Sequence, residues 1–146
     1  MKIYLDACSL QRPLDNKSQL RVALEAEAIL GVLALCEAGQ LDLISSDALI
    51  FEIERTPQAS RREYAVEALA QASTIVRLND SIEVRARVFT AAGVKPLDAL
   101  HLASAEAAQA DFFCTCDDRF LKKVRQLANL KTKVVSPLEL AEEFEP

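Results

Sequence analysis

Glycine is scarce here, with three in 146 residues. So little free backbone argues against a loop-rich or disordered chain, and 51% hydrophobic with 27% charged residues describes a helix-rich globular domain. Cysteine is nearly as sparse. None of Cys8, Cys36, Cys114 and Cys116 has the two-residue gap of a zinc knuckle or thioredoxin-type motif. Cys114 and Cys116 alternate as if on one face of a strand, so the four read as reduced core residues. No apolar run approaches the roughly 20 residues needed to cross a bilayer. The opening Met-Lys-Ile-Tyr-Leu-Asp reaches an acid before any leader-type apolar stretch forms, so a cytoplasmic protein with no membrane partner is expected. Excess positive charge is also missing: 17 Lys and Arg against 22 Asp and Glu leave −5, which disfavours wholesale wrapping of a polyanion. With no repeat, linker or low-complexity tract, residues 1–146 are expected to form a single domain.

Short β-type runs alternate with longer helical patterns, the signature of a parallel sheet covered by helices. Strands are predicted at about 2–6, 41–45, 74–77, 111–115 and 132–135. A helix over about 18–38 carries Leu20, Ala23, Leu24, Ala28, Leu30 and Leu33 to Leu35 at near-helical spacing and stops at Gly39. Ser45 or Ser46 caps a helix from Asp47 that Pro57 ends. A helix over 60–72 is expected to bury Tyr64, Val66, Leu69 and Ala70. Asn79 or Asp80 caps the next one, which runs to Gly93. Pro96 sits at or just before the first turn of helix 97–109, residues 118–128 follow as a helix, and a short one comes after Pro137.

The acids carry the functional signal. In an open parallel sheet, functional groups gather beyond the carboxyl ends of the strands, where Asp6 and Asp117 fall. Asp6 follows the apolar run Ile3-Tyr4-Leu5, and an acid buried there needs compensation. Asp98 lies in the first turn of an apolar helix, either as a ligand or as a complement to the helix dipole. Glu52 and Glu54 compete for one role, because residues two apart on a helix point about 200° apart. Asp117 and Asp118 likewise compete, one as ligand and one as helix cap, and Thr115 could orient the carboxylate. Acids that converge in this way resist full ionisation unless a cation joins them, which implies a divalent metal site. His101, one turn after Asp98, reads as a satisfied core residue before it reads as a base. Arg12, soon after Asp6, has the fork geometry of a phosphate contact, and Arg119 and Lys122 add to a basic rim after Asp117.

Ile3-Tyr4-Leu5-Asp6, Ser46 with Glu52, Asp98-Ala99-Leu100-His101-Leu102-Ala103 and Thr115-Cys116-Asp117-Asp118-Arg119-Phe120 together resemble the PIN-domain ribonuclease family over nearly the whole chain. The resemblance implies a three-layer α/β/α fold with a five-stranded parallel sheet in the order 3-2-1-4-5. It also implies an acidic pocket for Mg²⁺ or Mn²⁺ and hydrolysis of RNA phosphodiester bonds. It assigns the family's four acids to Asp6, Glu52, Asp98 and Asp117, with Thr115 as the accompanying hydroxyl. Small VapC-like members are toxins of toxin–antitoxin pairs and form homodimers, so RNA, an antitoxin protein and a second copy of the chain are the implied partners. The stretch from Cys8 to Asp15 also resembles a less-studied PIN branch. The rival from another class is a non-catalytic protein whose acids serve metal- or partner-dependent docking. A phosphatase with an aspartyl nucleophile would want a second Asp where Cys8 stands.

Overall fold

The computed structural model describes residues 1–144. Five strands, β1 (Lys2–Leu5), β2 (Asp42–Ser46), β3 (Thr74–Val76), β4 (Phe112–Cys114) and β5 (Lys133–Val135), form one sheet in the order β3-β2-β1-β4-β5. Every pairing is parallel. Parallel strands need covered crossovers, and helices flank the sheet: α1 (Ala7–Gln11), α2 (Leu20–Glu37), α3 (Asp47–Glu54), α4 (Ala59–Leu69), α5 (Asp80–Ala91), α6 (Pro96–Ala107), α7 (Asp118–Val124) and α8 (Pro137–Glu143). This is the α/β/α architecture and strand order that the resemblance implies.

The central strand is also the driest. Ile3, Tyr4 and Leu5 are fully buried, as a strand covered on both faces requires. Leu5 pairs in register with Cys114, so β1 and β4 end at the same level and Asp6 and Thr115 emerge side by side. The Asp6 amide then donates to the Cys114 carbonyl at 3.2 Å, holding the two strand ends together.

Local chemistry fixes the helix starts. Ser46 accepts from the Leu49 amide and Asn79 from the Ile82 amide, each capping its helix. Ser136 and Glu139 form a reciprocal capping box at α8. Pro96 occupies the first turn of α6, where its missing N–H has no partner to lose.

Several sequence expectations need correction. In α2 the buried face is Glu25, Ala26, Ile29, Val32, Leu33 and Cys36, while Leu20, Leu24 and Leu30 are exposed. In α4 the buried residues are Ala65, Ala68 and Leu69, and Val66 and Ala70 face outward. Both helices have apolar side chains on more than one face, so periodicity alone leaves their rotation open. The last long helix ends at Val124, before the left-handed Asn129. The five-residue α1 and a 3₁₀ turn at Arg12–Leu14 are additional elements.

Candidate active site

Asp6, Glu52, Asp98 and Asp117 line one cavity of about 140 Å³, together with Thr115, His101 and Cys8. Four elements distant in sequence deliver them: the end of β1, the middle of α3, the first turn of α6 and the start of α7.

Asp6 is the N-cap of α1. Its Oδ1 accepts from the Ser9 amide at 3.0 Å and from the Cys8 thiol at 3.0 Å. Burial pushes its carboxyl above the usual range, while hydrogen bonds from Thr115, Cys8 and Ser9 pull it back. Asp117 caps α7 with one oxygen, Oδ1, which accepts from the Arg119 and Phe120 amides at 3.0 and 3.1 Å. Its other oxygen has no hydrogen-bond partner among the described residues and is left to the cavity. Thr115, itself buried, accepts from the Asp117 amide at 3.1 Å, so one hydroxyl ties the loop bearing Asp117 to Asp6.

Asp98 is half-buried on α6. Its carboxyl is raised, first by burial; His101 opposes this, and the charges of Asp6, Glu52 and Asp117 add to it. The four acids therefore sense one another through space, which scattered surface carboxylates would not do.

Glu52 is positioned by a buried chain of hydrogen bonds. Its Oε1 lies 2.9 Å from His101 Nε2; His101 Nδ1 lies 2.6 Å from the Tyr4 hydroxyl; and that hydroxyl lies 2.6 Å from Ser46 Oγ. Ser46 Oγ already accepts from the Leu49 amide at 3.0 Å. The serine proton then goes to Tyr4, the tyrosine proton to His101 Nδ1, and the Nε2–H of His101 to Glu52. In this order no donor is left without an acceptor, which fixes the imidazole tautomer. His101 is thus a buried residue that holds Glu52, as the sequence reading favoured. The link to Tyr4 and Ser46 escaped that reading; its only trace was a tyrosine two positions before Asp6, on the same side of the strand.

The structure also separates the competing acids. Glu54 is exposed and outside the cavity. Asp118 points to solvent and pairs with Arg21 at 2.6 Å. Cys8 is exposed at the cavity, not in the core, and Cys116 is half-buried beyond the end of β4; only Cys36 and Cys114 are buried. Arg12 lies outside the cavity. Its guanidinium donates to Glu25 at 2.6 and 3.1 Å and to Asp15 at 3.0 Å, so the fork that the sequence offers to phosphate is already occupied. Arg119 and Lys122 both stand exposed on α7.

The donor set is made of oxygen, as hard cations such as Mg²⁺ or Mn²⁺ require. Among the described residues no three His, Cys, Asp or Glu side chains form a closed chelating group. An open acidic cup still fits Mg²⁺, which keeps several waters and takes only one or two carboxylates directly.

No curated protein matches the sequence. Among solved structures, a chain of VapBC2 from Rickettsia felis, crystallised bound to a DNA fragment from their promoter, superposes with a TM-score of 0.61 at 11% identity. The match covers 93% of the present chain and 98% of that one, and shows a shared fold. The PIN domain family model matches residues 3–126, which take in all four cavity acids and the strand ends that carry them. The chain belongs to the PIN domain family.

Proposed function

We propose that this protein is an endoribonuclease that uses Mg²⁺ or Mn²⁺ to hydrolyse RNA phosphodiester bonds, carried by one domain spanning the chain. The observation that supports it most is the convergence of Asp6, Glu52, Asp98 and Asp117 on one cavity. Asp6 and Asp98 would hold the ion most closely, with Glu52 and Asp117 binding directly or through water. The chemistry a divalent ion supplies in such a cup is Lewis-acid activation of the phosphate and of an attacking water.

The chain's own side chains do the positioning. Thr115 orients Asp6 and Asp117 together, the Asp117 cap leaves one oxygen for the cavity, and His101 holds Glu52. No side chain needs to act as a nucleophile. Arg119 and Lys122 on α7 are the rim cations for RNA.

A toxin role in a toxin–antitoxin pair, in the cytoplasm, is the biological setting we infer from the family and from the fold shared with VapBC2. The exposed Leu20, Leu24 and Leu30 of α2 and Val66 of α4 offer apolar surface for an antitoxin or for a homodimer.

Purified protein incubated with single-stranded and structured RNAs is expected to cleave with Mn²⁺ or Mg²⁺ and to stop with EDTA. Metal binding without cleavage of any RNA would favour the docking alternative.

The hydrogen-bond chain behind Glu52 gives a second expected result. Tyr4→Phe keeps the ring stacked on Phe113, at 5.0 Å between centroids, but removes the link from Ser46 to His101. Loss of such an orienting partner typically lowers activity by about 10- to 100-fold. His101→Leu should lose as much, whereas His101→Gln, whose amide can still donate to Glu52, should recover part of the rate. Equal rates for the leucine and glutamine variants would contradict the positioning role.

A further inference from the structure

A second cavity, of about 300 Å³, adjoins the acidic cup and shares Asp98, Asp117 and Phe120 with it. The remainder of its lining has the opposite charge, with Lys95, Arg119 and Lys123 facing it around the turn at Gly93 and Val94.

Elsewhere in this acidic chain the cations are mostly neutralised. Arg12, Arg21, Arg61, Arg85, Arg125 and Lys133 each pair with a carboxylate. Lys95, Arg119 and Lys123 form no salt bridge among the described residues, although Asp98 and Asp117 line the same cavity. Three unneutralised cations sharing one concavity form a preformed site for an anion.

The backbone is shaped around one of them. Gly93 has φ of +101°, and a Cβ there would lie 2.7 Å from Lys123 Nζ and 2.9 Å from Cε. Glycine is therefore needed twice, for its left-handed conformation and for the space that Lys123 occupies. Lys95 precedes Pro96 in extended conformation and caps α6, three residues before Asp98. Its amine is thus carried by the helix that places the acid.

We propose that Lys95, Arg119 and Lys123 form a phosphate subsite that receives the phosphate next to the scissile one on a single RNA strand. The inference rests on the nuclease reading. It narrows the substrate class to polynucleotides with at least one phosphodiester beyond the bond that is cut. Acids hold the reacting phosphate through a cation, and bases hold its neighbour directly, so the two adjoining cavities of opposite charge read successive phosphates of one backbone.

The test is binding of a fluorescein-labelled ten-nucleotide single-stranded RNA, followed by anisotropy at several salt concentrations, with cleavage of the same RNA measured in parallel. Lys95→Ala/Lys123→Ala should weaken binding by about tenfold or more, since charge-assisted contacts are lost. The slope of log affinity against log salt should shrink by about 1.4, roughly 0.7 for each phosphate contact removed from a single strand. Arg119→Gln should shift both in the same direction, whereas Lys131→Ala, outside both the cup and this cavity, should shift neither. Unchanged affinity and slope in the double variant, with an unaltered melting temperature, would overturn the subsite. Failure of the wild-type protein to cleave RNA would instead count against the nuclease reading, and the anisotropy would still decide whether these residues hold phosphate.

Discussion

Asp98→Asn should lower metal-dependent RNA cleavage by about a thousandfold, equivalent to about 4 kcal/mol of lost transition-state stabilisation. Asp6→Asn should do the same. The substitution preserves shape and removes one negative charge from a cavity whose purpose, on this reading, is to hold a cation. Glu54→Gln and Asp118→Asn should keep most of the wild-type rate, because neither carboxylate reaches the cavity.

Stability should move in the opposite direction. Burial, together with the charges of Asp6, Glu52 and Asp117, raises the Asp98 carboxyl against the opposing pull of His101. The folded chain therefore retains that proton to a higher pH than the unfolded chain does. Folding stability falls as pH rises from the ordinary aspartate range through the raised value, and stays lower above it. In the absence of divalent ions, Asp98→Asn should melt above the wild type at neutral pH, with each kcal/mol worth about 2–4 °C for a domain of this size. A variant that loses cleavage while gaining stability is not misfolded. A wild-type rate in Asp98→Asn would remove that acid from the mechanism.

Arg12→Ala should instead act on folding, costing about 3 kcal/mol or more. Glu25 is only 1% exposed, and Arg12 is its closest cation at 2.6 Å; Arg21 stands farther off at 3.5 Å. Removing one partner of a buried pair leaves an uncompensated charge, which is more costly than replacing both partners with apolar residues. Arg12→Met combined with Glu25→Leu should therefore recover much of the loss, as read from urea midpoints. Had Arg12 been a phosphate contact, the alanine variant would keep its stability and bind RNA less tightly. The same guanidinium also holds Asp15, which Arg61 reaches at 2.7 Å, so Arg12 ties the 3₁₀ turn both to α2 and, through Asp15, to α4.

Arg12 shows where reading the sequence stops. Its type and its place after Asp6 suit phosphate, but a buried glutamate 13 residues away claims it, and no local pattern shows that claim. Strand order and the placement of Asp6, Asp98 and Asp117 were more legible, because they follow from short local signals: an acid after an apolar strand, a proline opening a helix, and a threonine two residues before an aspartate. The choice of Glu52 over Glu54 needed the rotation of α3, which Ala48, Leu49 and Ile53 fix by facing the core. The rotations of α2 and α4 were not legible, since leucine, valine and alanine occur all round them and only packing against the sheet selects a face. Lys95 and Lys123 were missed because each looks like an ordinary surface lysine until the turn at Gly93 brings them to one cavity.

Thermal unfolding with and without Mn²⁺, in the wild type and in Asp98→Asn, tests the cup most directly, since it needs no RNA. Saturating Mn²⁺ should raise the wild-type melting point by several degrees, because an ion at about a hundred times its dissociation constant adds about 2.7 kcal/mol. The shift should shrink as acid protonates Asp6 and Asp98, and should largely vanish in Asp98→Asn. No shift in the wild type, or an equal shift in both proteins, would contradict a cation site built from these four carboxylates.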